Sequence, residues 1–336
     1  MEQHEILSSI PPWEGELDPE FMINFLGVKT RWSFLEKYTG EEIADILGAD
    51  VRNFLDIDIR KMQCRDIQKL IRMHLDSKGQ KKRIKSTLPP TNENYFSWLD
   101  LIDAVTLARD NFVMIELGAG YGRWLVNAAF LLKRVNSIPY QLIGVEAEPT
   151  HYHFLQKHFL DNNIDMGCCE LINKAITVNK KIERFWVGNP SGWYGQAIKE
   201  EPGNHRNLFH EWLIRISKRL GLFSDYNTED QSVIWVLGVS LSTIMKKYNH
   251  IDYIDMDVQG TELSIITDAI TEMNCKVKRI HIGTHSREIE DGLHTLFLQH
   301  GWICVNDYRC NSESDTPYGK IVFIDGLQTW VNNKIP

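Results

Sequence analysis

Residues 113–122 read Val-Met-Ile-Glu-Leu-Gly-Ala-Gly-Tyr-Gly: an apolar run that passes into a glycine-rich turn, with Glu116 two residues before Gly118. A parallel strand buried on both faces needs a short apolar run of this kind. Gly118, Gly120 and Gly122 let the backbone turn sharply and approach a ligand with no Cβ in the way. Their spacing, GxGxG, is one residue shorter than the GxGxxG that holds a dinucleotide pyrophosphate, and Arg123 stands where that third glycine would fall. No GxxxxGK[ST] occurs, so the chain offers no P-loop. A carboxylate at Glu116 repels phosphate but suits a cation such as a sulfonium with an amino-acid tail. The turn therefore points to S-adenosyl-L-methionine, with a plain strand-to-helix turn of another α/β protein as the alternative.

Outward from this turn the pattern alternates. Tyr95 to Arg109 has a helical apolar face of Trp98, Leu101, Ile102 and Val105. A helix is expected after Gly122, then the strand QLIGVEAE at 141–148 and a helix from about His151 to Asn162. Short strands are expected near 170–176 and 184–187, and a helix around 208–220. The strand IDYIDMDV at 251–258, a helix from Glu262, the strand RIHIGTH at 279–285 and a helix at 288–300 follow. WICVNDY and KIVFIDG then read as a hairpin-like pair. Strands alternating with helices imply a mostly parallel sheet with helices on both faces, and the closing strands imply an antiparallel edge.

Residues 1–90 differ in composition. Trp32, Leu35, Ile43, Ile46 and Leu47, then Ile67, Leu70, Ile71 and Leu75, recur at helical spacing. A basic break, SKGQKKRIKSTLPP at 77–90, separates them from the rest. We read residues 1–90 as a helical N-terminal extension that caps the cleft or mediates self-association, and 91–336 as the ligand-binding domain.

Of the 336 residues, 43% are hydrophobic and 24% charged, ordinary globular values. The net charge of −8 argues against a general nucleic-acid binder. The six cysteines show no CxxC pair or zinc spacing and read as reduced thiols. Neither a signal peptide nor an apolar run of membrane-spanning length is apparent, so a cytoplasmic location without membrane insertion is expected.

In an open α/β sheet, ligands bind beyond the carboxyl ends of the strands. Glu146, directly after LIGV, is placed to accept both ribose hydroxyls, or else is a helix-flanking charge. Asp255 and Asp257 alternate onto one face of their strand, where they could ligate a hard cation, or one could act as a general base. Glu262 falls in the first turn of the next helix, which the helix dipole alone would favour. His285, furthest along its strand, could take a proton from a substrate hydroxyl or serve as a structural hydrogen bonder, while His281 reads as structural. Trp193 and Tyr194, between two glycines, wall a pocket or pack.

Four blocks in order, IELGAGYGRW, IGVEAEP, GVSLSTIMKKYNHIDYIDMDVQGTEL and RIHIGTHSREIEDGL, resemble the FkbM-type S-adenosylmethionine-dependent methyltransferases over about residues 95–310. The N-terminal PPWEGE at 11–16 is similar to a subgroup found with capsule and surface-polysaccharide genes. The chain departs from the commoner pattern in Asp255, where many members have lysine, and in Gln259, where they have glutamate. The resemblance implies a Rossmann-like class I methyltransferase sheet and O-methylation of a sugar or sugar nucleotide. Glu116, Gly118, Gly120, Gly122 and Glu146 would hold the methyl donor, and Asp257 and His285 would face the acceptor. Asp255 and Asp257 would be the ligands if a divalent cation such as Mg2+ takes part. A nicotinamide-dependent sugar oxidoreductase or epimerase, and a non-catalytic partner-binding relative, are the competing readings.

Overall fold

A computed structural model of the chain describes residues 3–16, 18–36, 38–47, 61–78, 83–178, 182–187 and 232–335. The helix expected at 208–220 lies outside these residues.

Two-thirds of the chain follows the alternation read above. In order come α4 (Glu93–Leu107), β5 (Phe112–Leu117), α5 (Arg123–Val135), β6 (Tyr140–Val145), α6 (Pro149–Asp161) and β7 (Cys169–Ile172). After the short β8 (Ala175–Ile176), β9 (Ile182–Val187) and β10 (Ser232–Val239) follow α7 (Leu241–Met245), β11 (Ile251–Met256), α8 (Glu262–Lys276) and β12 (Val277–Thr284). The chain closes with α9 (Arg287–Gln299), β13 (Ile303–Tyr308), β14 (Ser312–Thr316), β15 (Gly319–Phe323) and β16 (Gly326–Val331). The N-terminal region supplies α1 (Gln3–Ser9), β1 (Glu14–Glu16), β2 (Phe21–Ile23), β3 (Lys29–Arg31), α2 (Gly40–Leu47), α3 (Cys64–Lys78) and β4 (Arg83–Lys85).

The main sheet has seven strands in the order β13-β16-β12-β11-β5-β6-β7. All neighbouring pairs from β12 to β7 are parallel. Strand β16 runs antiparallel to both β12 and β13, so the mixed edge has its reversed strand one place in. This is the mostly parallel, Rossmann-like sheet with an antiparallel strand near one edge and helices on both faces that the sequence implied. Every residue of β5 and of β11 is buried, as their unbroken apolar runs require of central strands. One core, on the α4 and α5 face, gathers Met114, Leu125, Leu142, Phe159 and Tyr253. The other, on the α8 and α9 face, gathers Ile115, Ile254, Ile266, Ile280 and Phe297.

Two differences from the sequence reading have physical causes. WICVNDY does not pair with KIVFIDG; β13 pairs with β16, and β15 pairs with β14. The sequence hides β16 because Gln328 and Thr329 are polar yet fully buried. Their polar atoms are satisfied inside: Gln328 donates to the Glu290 carbonyl, and Thr329 donates to Asp100 at 2.5 Å. The described residues of the N-terminal region, in turn, hold three α-helices but also two antiparallel ribbons, β1 with β4 and β2 with β3. Leu7, Ile10, Phe25 and Leu26 from it enter the main core. Strands of three residues are too short to show a period in the sequence.

One buried charge network braces the sheet under the site. Arg279 donates to Asp100 at 2.7 Å and to Asp103 at 2.6 Å, and His281 meets the other Asp100 oxygen at 2.8 Å. His281 is therefore structural, and its charged partners offset one another. Breaking such a network by removing one partner costs about 3–5 kcal/mol, since a buried charge is left uncompensated.

Candidate active site

The strand order reverses between β5 and β11, because the chain runs β5 to β6 to β7 one way and returns to β11 on the other side. At that point the carboxyl ends of β5, β6 and β11 open into a cavity of about 300 Å³. Crevices of this kind bind ligands in open α/β sheets. Glu116, Gly118, Gly120, Glu146, Asp255 and Asp257 all line it.

The glycine turn is built by necessity. Gly118 has φ +76°, and a Cβ there would lie 1.9 Å from the Asp257 carbonyl oxygen. Gly122 has φ +74°, and its Cβ would fall 2.3 Å from Leu155. Gly118 and Gly120 face the cavity, whereas Gly122 is absent from its lining and gives α6 its close seat against α5.

Glu116, the last residue but one of β5, turns its side chain back onto the start of α5, where Oε1 accepts from Trp124 N at 3.3 Å and Oε2 from Leu125 N at 3.2 Å. These are two of the orphan donors of a helix terminus. Burial, together with the charge of Asp255, pushes the Glu116 carboxyl well above its usual value. Glu146 accepts from Gly120 N at 2.7 Å and from Glu148 N at 2.8 Å. Burial raises its pKa to about 7 against those hydrogen bonds. Glu148 instead caps α6, accepting from His151 N at 2.6 Å.

Across the cavity the carboxylates are held by side chains. The ladder continues past β11, with Asp257 N donating to the Leu117 carbonyl at 2.9 Å. The Asp257 side chain keeps 51% of its surface open, and His285 Nε2 stands 3.3 Å from its Oδ1. Gln259, at φ +56° in the left-handed region, donates its amide to the same oxygen at 2.7 Å. His285 Nδ1 bonds to Glu262 Oε1 at 2.8 Å, and Glu262 is fully buried at the start of α8. Burial alone would lower the His285 pKa, yet the Asp257 carboxylate beside it and the hydrogen bond to Glu262 hold it well above 6.5. Desolvation works to raise Asp257, but His285 and Gln259 hold it below its usual value. The imidazole thus stands between two carboxylates, which favour its protonated form. It stands behind Asp257 and does not itself line the cavity.

Among the described residues, no group of three or more His, Cys, Asp or Glu side chains is arranged to hold a metal ion. Asp255 and Asp257 both line the cavity. Trp193 and Tyr194 lie outside the described residues. The sequence reading did not single out Asn94, Lys174 or Asp325, nor Leu35 and Tyr38 from the N-terminal region, all of which line the cavity. Arg123 lines it too, and its place directly after the turn, at the start of a helix, was a signal for that. Asp325 lies far along the chain from the other residues, and nothing local marks it. Burial raises its pKa to about 6. The lining therefore carries six carboxylates (Glu93, Glu116, Glu146, Asp255, Asp257 and Asp325) against the cations Arg123 and Lys174.

No protein-family profile matches the chain. It is similar to a protein of Jannaschia sp. (strain CCS1) named "Putative methyltransferase", at 27% identity over 246 residues, covering 71% of this chain and 79% of that one. Solved structures with loosely similar outlines include an RNA methyltransferase, named as putative, from Pyrococcus horikoshii (9% identity, 72% of this chain and 84% of that one, TM-score 0.36). Another is TrmK of M. capricolum in complex with S-adenosylhomocysteine (9% identity, 69% and 67%, TM-score 0.33). Likeness at that level identifies neither substrate nor residues. Among the described residues no helix is long and apolar enough to cross a membrane.

Proposed function

We propose that the chain is an S-adenosylmethionine-dependent methyltransferase acting on oxygen, with a sugar hydroxyl of a capsule or surface polysaccharide, or of its precursor, as acceptor. The observation that carries this reading is the lining of the cavity at the strand-order reversal. Bare backbone at Gly118 and Gly120, the buried Glu146 at the end of the neighbouring strand and a surplus of carboxylates suit a ribose-bearing cation. The same surplus opposes the pyrophosphate of a nicotinamide cofactor. The similarity to the Jannaschia protein supports the transferase reading. The FkbM-type resemblance of residues 251–262 and the half-open Asp257 at the rim support a hydroxyl acceptor.

When bound, the donor supplies a methyl group activated by its sulfonium. Gly118 and Gly120 would let the donor approach the backbone, and Glu146 would accept from the ribose hydroxyls. Asp257 would accept a hydrogen bond from the acceptor hydroxyl and so orient it. In transfer of that methyl from sulfur to the acceptor oxygen, Asp257 would take up the hydroxyl proton and pass it to His285. His285 accepts it only after its imidazolium has released a proton, so turnover rises with pH through a value well above 6.5. Such positioning contributes up to about 7–11 kcal/mol in favourable intramolecular cases.

Calorimetric titration with S-adenosylhomocysteine tests the reading. Binding of about one per chain is expected, and a folded sample that gives no heat at two temperatures overturns it. Turnover indifferent to a chelator would remove the divalent-cation version that Asp255 and Asp257 suggested.

A further inference from the structure

Asp255 has no part in the chemistry above, yet it is the least satisfied of the deeply buried carboxylates lining the cavity. Only 6% of the residue is exposed. Its side chain meets the Tyr253 hydroxyl at a marginal 3.5 Å. Glu116 and Glu146, by contrast, each accept two backbone N–H bonds. The neighbours of Asp255 in the sheet register are Glu116 on β5 and His281 on β12. Glu116 is another acid, and His281 is committed to Asp100 at 2.8 Å and Ser97 at 3.1 Å. A buried carboxylate is costly unless it is paired, and here the open direction is the cavity.

Arg123 stands on the same side. Its guanidinium is fixed by a bond from Nη1 to Asn94 Oδ1 at 3.0 Å and lies 4.2 Å from the centre of the Trp124 ring. Its charge acts on both Glu116 and Asp255. Glu146 follows β6, two strand spacings or about 10 Å from β11. A donor whose ribose sits on Glu146 thus extends its other end across β5 toward Asp255 and Arg123.

We infer that Asp255 and Arg123 together bind the zwitterionic amino-acid end of the methyl donor, Asp255 accepting from the α-ammonium and Arg123 donating to the α-carboxylate. This rests on the donor reading above. It assigns opposite charges of the tail to two residues on different elements, Asp255 near the end of β11 and Arg123 at the start of α5, which makes the two contacts separable.

The test titrates the full-length chain and its Asp255→Asn and Arg123→Gln variants with three probes. S-Adenosylhomocysteine has the whole tail, its decarboxylated analogue keeps only the ammonium, and 5′-methylthioadenosine has neither charge. Charged hydrogen bonds contribute about 1.5–3 kcal/mol, or roughly ten- to a hundredfold in affinity. Asp255→Asn is expected to lose that much for the first two probes and nothing for 5′-methylthioadenosine. Arg123→Gln is expected to lose it for S-adenosylhomocysteine alone. Unchanged S-adenosylhomocysteine binding in both variants, or equal losses across all three probes in Arg123→Gln, overturns the assignment. Retained 5′-methylthioadenosine binding certifies the fold of each variant, and if Asp255→Asn fails that check, the Arg123→Gln pattern decides. Wild-type protein that binds none of the probes overturns the donor reading itself, an outcome distinct from loss of tail discrimination.

Discussion

The two ends of the cavity are built differently. At the β5 and β6 end, Glu116 and Glu146 are held by backbone N–H groups of the turn and of the helix that follows it. At the β11 and β12 end, Asp257 is held by His285 and Gln259, and His285 in turn by Glu262. Backbone donors come with the fold and stay put when a neighbouring side chain changes. A side-chain clamp depends on each member, and its charge state moves with pH. The first kind of construction suits a ligand common to many reactions, and the second suits a proton that must move.

The sharpest way to break this contrast is Asp257→Ala. Turnover should fall by about 10²–10⁴, the usual worth of a positioned proton-transfer group, while S-adenosylhomocysteine affinity stays within a few-fold. Turnover at the wild-type level removes Asp257 from the chemistry.

His285→Gln comes next. In the wild type, kcat/KM should climb with pH through a value well above 6.5, because the imidazolium must lose its proton first. The variant should turn over about a hundredfold more slowly with that limb gone. A limb that persists assigns it to another group.

At the other end, Gly118→Ala places a Cβ 1.9 Å from the Asp257 carbonyl at φ +76°. A loss of about 2–3 kcal/mol of stability is expected in denaturant melts, with weakened donor binding. A stability equal to the wild type would mean that the turn relaxes freely.

The smallest effect concerns Glu146, whose pKa is raised to about 7 from the ordinary 4.5 by burial. The folded apo protein binds this proton more tightly than the unfolded chain, so the contribution to stability is present below pH 4.5 and is lost as pH rises toward 7. Donor binding favours the ionised form and runs the other way. S-Adenosylhomocysteine affinity should therefore fall by up to about tenfold per unit as pH drops below 7, and Glu146→Gln should flatten that dependence. Equal slopes in the two proteins would separate Glu146 from the ribose.

Much of the donor end was legible because its residues are consecutive or follow strands with apolar runs. Glu116, Gly118, Gly120 and Glu146 were all placed at the cavity from such patterns, and all four line it. Gly122 shows the limit: a glycine in the same motif serves packing against Leu155. At the other end, alternation put Asp255 and Asp257 on one side, and both reach the cavity. The setting of His285, behind Asp257 and against Glu262, had no local mark. Asn94, Asp325 and Tyr38 join the lining from three separate segments.

The sequence by itself determined the alternating helices and strands, the glycine turn and the strand ends where carboxylates gather, because these follow from periodicity and steric demands within a few residues. Only the tertiary structure decided that Gln328 and Thr329 form a buried strand, that the N-terminal region walls the cavity, and that His285 stands between Asp257 and Glu262. Each of those depends on burial and on charges brought together across long stretches of chain, and short-range patterns carry no record of them.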